Sequence, residues 1–357
     1  MGRTVAGNSF GNLLTLTTWG ESHGAMIGGV LDGCPAGLPI SLDDIQKELD
    51  RRRPGQSKIT TQRREPDKVK IVSGLMDSVT TGAPISFIIE NEDSDSSAYE
   101  KIKDVYRPGH ADYTYDAKYG IRDWRGGGRS SARETAVRVA AGAIAKKILS
   151  GVTITGYTVQ IGNIKMESFS EGEIEKNAVR CPDPIAAAEM VKAIEAARKE
   201  RDSLGGIVEV RAKNVPPGLG MPVYHKLSAD LASALMGINA VKGVEIGGGF
   251  KAAAMKGSEF NDEMEPDTGG PGFKTNHAGG ILGGISNGSD IVVRIAIKPT
   301  PSIPREQKTV DKNGGPASII VEGRHDPCIC PRAVPVAEAM VALTLADHFL
   351  LNRAARI

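Results

Sequence analysis

"GGVLDGCPAGLPI", residues 28–40, contains a glycine pair, a short apolar run and a proline-glycine turn. "GGIVEVRAKNVPPGLGMPV", residues 205–223, follows the same order. In each, the apolar run reads as a strand and the P-x-G-L segment as a tight turn. A helix follows in both places. "SLDDIQKELDRRR", residues 41–53, starts on Ser41, which can cap the first turn together with Asp44, and Pro54-Gly55 stop it. "HKLSADLASALMG", residues 225–237, is its counterpart. The parallel extends outward. The strand in "TTGAPISFIIEN" (80–91) matches the one in "GGISNGSDIVVRIAIKP" (283–299). Basic loops then run into apolar helices, "RETAVRVAAGAIAKKIL" (133–149) and "GRHDPCICPRAVPVAEAMVALTLADHFL" (323–350). We expect one domain over residues 1–357 with an internal duplication, its pseudo-repeats at roughly 9–150 and 204–350.

The segment between the repeats adds a strand, "VTITGYTVQIG" (152–162), and a helix that Asp183 caps and Pro184 begins. Strands with alternating faces, joined by irregular crossovers, predict an α+β fold with antiparallel sheets. A dinucleotide-binding α/β fold is disfavoured, because no G-x-G-x-x-G lies between a strand and a helix.

Lys and Arg number 44 against 43 Asp and Glu, a formal charge of +1. No global field draws the chain to nucleic acid or membrane, so any anion site is local. Aromatics make up only 4%, too few for base-stacking platforms. A nucleic-acid-binding reading of "RRRPGQSKITTQRRE" (51–65) is therefore disfavoured. A sugar-phosphate kinase is disfavoured too, for want of G-x-x-x-x-G-K-[ST]. Cys34, Cys181, Cys328 and Cys330 form no C-x-x-C pair and read as idle thiols in a reduced, cytoplasmic protein, with no metal site expected. The N-terminus shows no signal-peptide pattern, and no unbroken run of about 18 apolar residues predicts a membrane span.

"RGGGRSSARETA" (125–136) carries the clearest chemistry. Ser131 and Glu134 are spaced as a capping box. A helix N-terminus offers unpaired N–H groups and partial positive charge to an anion. Gly126, Gly127 and Gly128 let the backbone approach closely, while Arg129, Ser130 and Arg133 add donors. Three further turns add proton carriers. "GESHG" (20–24) presents Ser22 and His23, "RPGHAD" (107–112) presents Arg107, His110 and Asp112, and "GRHDP" (323–327) presents Arg324, His325 and Asp326. Imidazole and carboxylate suit proton transfer near neutral pH. We expect these turns to converge on one pocket at the junction of the repeats.

"GESHG", "RPGHAD", "RSSARETA", "GINAVKGVEIG" (237–247), "NHAGGILGGISNG" (276–288), "KPTPS" (298–302) and "GRHDP", in that order, resemble the chorismate synthase family along the whole chain. The resemblance implies helices sandwiched between antiparallel β-sheets and a homotetramer. It also implies 1,4-elimination of phosphate from 5-enolpyruvylshikimate 3-phosphate, giving chorismate, with reduced FMN (FMNH2) required and no net redox. NADPH would be an external reductant. By that resemblance His23 is the acid at the leaving phosphate and His110 stabilises the reduced flavin. Asp326 assists removal of the substrate proton, with Ser22 and Ser130 in support. FMN would lie against Arg129, Ser130, Ser131, Asn239, Ala240, Gly283, Lys298, Pro299, Thr300, Pro301, Ser302 and Arg324. Arg52, Lys58, Arg107 and Arg133 would meet the substrate or NADP. Lys58 stands where many relatives carry Arg and keeps the charge without the planar fork. Cys330 is a second departure and has no assigned role.

Overall fold

Two five-stranded antiparallel sheets face each other across a double layer of helices. The computed structural model describes residues 7–61, 65–93, 95–268, 270–323 and 325–356. The first sheet orders its strands as Ser9–Phe10, Thr15–Trp19, Met26–Asp32, Ile85–Glu90 and Val69–Ser73. The second orders them as Val241–Ile246, Ile291–Ile297, Gly206–Lys213, Thr153–Ile161 and Ile164–Lys165. Four strands of each follow one rule. The first two pair, the fourth joins the second, and the third takes the outer side of the fourth. The quoted glycine-pair strands, Met26–Asp32 and Gly206–Lys213, hold equivalent places in the two sheets.

The helices between the sheets are α1 (Leu42–Arg52), α2 (Thr135–Ile148), α3 (Leu227–Met236) and α4 (Cys330–Asn352). α2 lies on the first sheet, α4 lies on the second, and the two helices pack on each other. Both are alanine-rich and nearly all buried, which is why their sequences lack a polar face. Gly142 of α2 sets their closeness. A Cβ there would stand 2.4 Å from the Ala339 Cβ, so nothing larger fits this crossing. α4 is long and apolar enough by composition to cross a membrane, but most of it is buried inside the protein. Fully buried Ile27, Leu31, Phe87, Ile144, Val208 and Leu345 tie both sheets to this layer. Each such side chain contributes about 1.5–3 kcal/mol by leaving water.

Local signals held where the partners are near in sequence. Ser41 and Asp44 make the reciprocal capping box, and Asp183 accepts from the Ile185 and Ala186 N–H groups at the head of Pro184–Lys199. The box expected at Ser131 does not form. Residues 128–130 and 132–134 are short 3-10 turns, the Ser131 hydroxyl accepts from Arg133 N–H, and Glu134 instead pairs with Arg138 one turn on. The tighter winding presents Arg133 N–H, not Glu134 N–H, to the serine. All four cysteines are free and buried.

Candidate active site

At one end of the sandwich the loops of both halves enclose a cavity of about 540 Å³. Its size falls within the roughly 300–1,000 Å³ of pockets that enclose small molecules. His23, Arg52, Arg107, His110, Ser130, Ser131 and Arg133 line it from the first half. Asn239, Ala240, Lys298, Thr300, Pro301, Ser302 and Asp326 line it from the second. The expected convergence of distant turns is therefore present in the folded chain.

His23 sits on the turn after Thr15–Trp19. The Asn91 side-chain amide donates to the carbonyls of Glu21 and Gly24 and holds that turn. Ser22 is buried behind the ring, its hydroxyl 3.0 Å from His23 Nδ1. Gly126 has φ +63° and faces this ring, and a Cβ there would fall 2.1 Å from Nδ1. The glycine run thus makes room for the histidine. Tyr99 meets His23 edge-on at 5.4 Å and receives the Arg107 guanidinium on its ring at 5.5 Å.

The arginines are held by buried acids. Arg52 Nη1 donates to Asp67 Oδ2 at 2.8 Å, and Arg133 Nη1 donates to Asp67 Oδ1. Arg107 grips Asp112 through Nε at 2.8 Å and Nη2 at 2.6 Å. A guanidinium taken from water needs such a partner. The sequence pattern implied a bare cation cluster. In the structure Asp112 balances Arg107, Arg52 and Arg133 share Asp67, and the buried Glu65 lies 3.9 Å from Arg133 Nη2, so three acids face the three arginines. What remains is directional. A guanidinium has five N–H groups. Among the described residues, Arg52, Arg107 and Arg133 each commit three, which leaves two apiece for an anion.

Asp67 is fully buried with φ 49°, a left-handed conformation that aspartate tolerates better than most residues. Burial opposes its ionisation, but Arg52 and Arg133 outweigh that and lower its pKa. At Asp112 burial likewise opposes ionisation, and the hydrogen bonds from Arg107 and His110 hold the carboxyl far below its ordinary value. His110 Nδ1 lies 3.2 Å from Asp112 Oδ1. Burial lowers the His110 pKa, with Arg107 acting in the same direction against Asp112. Burial, aided by Arg107, also lowers His325, to about 4. Lys298 is lowered by burial and by Lys242.

Five expected residues do not reach the cavity wall, Ser22 among them, behind the His23 ring. Arg129 turns to Asn8, Thr18 and the Gly20 carbonyl and braces the first strands. Pro299 packs beside Gly205, and Gly283 turns a small open hairpin. Lys58 is exposed, and its carbonyl accepts from Arg198 at 2.7 Å. Arg324 lies outside the described residues. The sequence reading in turn missed Asp67, Tyr99 and Arg332, which lies on the wall. Tyr99 belongs to "NEDSDSSAYEKIKD", whose polarity reads as a surface excursion. Asp67 and Arg332 fall in no motif, so only their distant partners reveal them.

Asn239 Oδ1 is buried on this wall without a hydrogen-bond partner among the described residues, while its amide donates to the Ser130 carbonyl at 2.9 Å. An orphan acceptor there suits an imide-type N–H, as a flavin ring offers. A cavity with hydroxyls, histidines and pre-paired arginines defines an enzyme acting on an anionic small molecule.

The family model for chorismate synthase matches residues 14–350. The chain is 60% identical over 356 residues to the chorismate synthase of Chloroflexus aggregans, covering 99% of this chain and 98% of that one. It is 59% identical to that of Roseiflexus castenholzii, covering 99% of each. A solved structure described as a crystal structure of chorismate synthase superposes with a TM-score of 0.77 at 35% identity, over 96% of this chain and 93% of the other. The chain belongs to the chorismate synthase family. Its reaction is the carbon–oxygen lyase step of the shikimate pathway that forms chorismate from 5-enolpyruvylshikimate 3-phosphate, in aromatic amino acid biosynthesis. The family uses reduced flavin.

Proposed function

We propose that the 540 Å³ cavity is where this elimination occurs, with FMN as the flavin and NADPH as an outside source of its electrons. Asn239, Ser130, Ser131, Lys298, Thr300 and Ser302 would hold the flavin. When bound, reduced flavin supplies an electron-rich surface that eases loss of phosphate. Everything else falls to the chain. The uncommitted N–H groups of Arg52, Arg107 and Arg133 receive phosphate and carboxylate oxygens in a fixed geometry, so little reorganisation is needed as charge moves. His23, steadied by Ser22 and Tyr99, donates to the departing phosphate. His110, tethered to Asp112 through Nδ1, would leave its other ring nitrogen to the flavin. Asp326 serves removal of the substrate proton. The observation that carries this reading is that His23, His110 and Asp326, from three separate turns, line one cavity with three pre-paired arginines.

The matched strand orders of the two sheets support an ancestral duplication within a single domain spanning residues 1–357. Exposed Tyr224, Phe250 and Ile121 are consistent with assembly, which we propose is a homotetramer in the cytoplasm, with no nucleic-acid or membrane partner. The test is anaerobic. Mixing the protein with chemically reduced FMN and 5-enolpyruvylshikimate 3-phosphate should release inorganic phosphate with matching growth of chorismate absorbance. Equal release with His23→Ala, His110→Ala and Asp326→Ala variants would remove this cavity from the reaction.

A further inference from the structure

Both carboxylate oxygens of Asp326 are taken up, one by a distant part of the chain and the other from six residues further on. The Thr61 N–H donates to Oδ1 at 2.8 Å, and Arg332 Nη1 donates to Oδ2 at 2.5 Å. Arg332 stands on the first turn of α4, and its Nε donates to the Arg52 carbonyl at 3.2 Å. Thr300 Oγ1 fixes the Asp326 main chain by donating to its carbonyl at 2.9 Å. The side chains of Asp326 and Arg332 are only 9% and 14% exposed, so water competes little for this pair.

We propose that Arg332 is a positioning residue for Asp326. It fixes the plane of the carboxylate that serves proton removal and ties that plane to Arg52 through the main chain. This rests on the reading of Asp326 given above. A carboxylate held only by Thr61 would turn about its Cβ–Cγ bond. Misplacement of a reacting group by about 1 Å can cost on the order of a hundredfold in rate. Lysine would keep the charge but not span the Asp326 carboxylate and the Arg52 carbonyl with one rigid plane.

The experiment compares Arg332→Gln, Arg332→Lys, Asp326→Asn and the double variant Asp326→Asn/Arg332→Gln, each full-length and checked for native melting. Turnover is measured with ordinary substrate and with substrate deuterated at the carbon that loses its proton. We expect Arg332→Gln to lower kcat about 10- to 100-fold, with KM nearly unchanged and a larger deuterium effect on kcat. An inactive fraction would lower kcat but leave the isotope effect as it is. The same glutamine change should add nothing in the Asp326→Asn background, because the two residues act as one unit. Equal slowing in both backgrounds overturns the inference, as does a raised KM with normal kcat, which would mean direct substrate contact. If Arg332→Gln does not fold, Arg332→Lys decides. A lower kcat with a larger isotope effect supports positioning, and wild-type values for both overturn it. Wild-type turnover by Asp326→Asn would instead overturn the role given to Asp326 itself.

Discussion

Arg51 and Arg52 are neighbours in sequence and reach opposite kinds of place. Successive helical side chains point about 100° apart, so one enters the helix layer and the other the cavity. Arg51 meets Glu338 through Nη1 at 2.7 Å and Nη2 at 2.8 Å, and Lys146 joins the same carboxylate at 2.8 Å. The Gly156 N–H completes it at 2.9 Å. Burial opposes ionisation of Glu338, but Lys146 and Arg51 prevail and its pKa falls to about 2. Arg52 shares Asp67 with Arg133 in the same pattern of two cations around one buried acid. The difference is what lies beyond the shared acid. Around Glu338 the cations reach on to Glu48 and Glu175 and join α1, α2, α4 and the second sheet, whereas Arg52 and Arg133, more deeply buried, lie on the cavity wall. One arrangement joins elements, and the other keeps cations fixed for a ligand.

Replacing the shared acid should break this comparison most forcefully. Asp67→Ala removes the acid shared by two deeply buried arginines, and we expect it to cost about 3–5 kcal/mol in urea unfolding. Glu338→Ala should cost less, because Arg51 and Lys146 keep Glu48, and Arg51 keeps Glu175. Only Asp67→Ala should also lower kcat/KM per folded molecule, by at least about tenfold, since Arg52 and Arg133 lose their orientation. Equal catalytic damage from Glu338→Ala would erase the distinction drawn between the clusters.

Acidification probes the cavity side before the core side. His325 and His110 are kept neutral in the fold, so the unfolded chain binds more protons once pH drops below the ordinary histidine value. Stability should therefore be full above pH 6.5 and decline as pH falls toward 4, the His325 value. The His325 share should reach about 2 kcal/mol at pH 5. His325→Gln should flatten that slope. Glu338 acts lower, because its contribution is complete above its ordinary 4.5 and is lost as pH falls toward 2. Unfolding midpoints measured from pH 7 to 3 separate the two windows, and an unchanged slope in the histidine variant would contradict this account.

The smallest effect sharpens the comparison from outside. Lys147 pairs with Asp44 at 2.9 Å between the same helices, α2 and α1, but both side chains are well hydrated. A double-mutant cycle on that pair should give about 0–1 kcal/mol, diminishing with added salt. A coupling as large as that of Lys146 with Glu338 would show that burial is not what separates them.

How far the fold was legible varied with the range of the interaction. The strands around Gly28–Gly29 and Gly205–Gly206, the Ser41 cap and the Asp183–Pro184 helix start were readable because they depend on residues a few positions apart. The Ser131 box failed because the backbone before α2 winds as 3-10 and Glu134 has Arg138 within reach. In the cavity, the histidine turns stood out by their flanking glycines. Asp67, Tyr99 and Arg332 did not, since Asp67 and Tyr99 matter through side chains eight to more than seventy positions away, and Arg332, six positions from Asp326, makes a contact that no motif spacing marks. Placing Arg129 and Lys58 correctly needed the loop paths, which motif spacing does not contain.

By itself, the chain of residues determined the antiparallel α+β pattern, the paired order of its segments, the principal histidine, serine and basic turns, and membership of a family. Those are consequences of local propensity, periodicity and short motifs. The tertiary structure alone decided which arginine enters the core and which the cavity, which acid neutralises each, and that Asp326 is clamped by Arg332. Such outcomes depend on desolvating charges brought together from remote segments, and the free energy of a buried charge is set by what surrounds it in space.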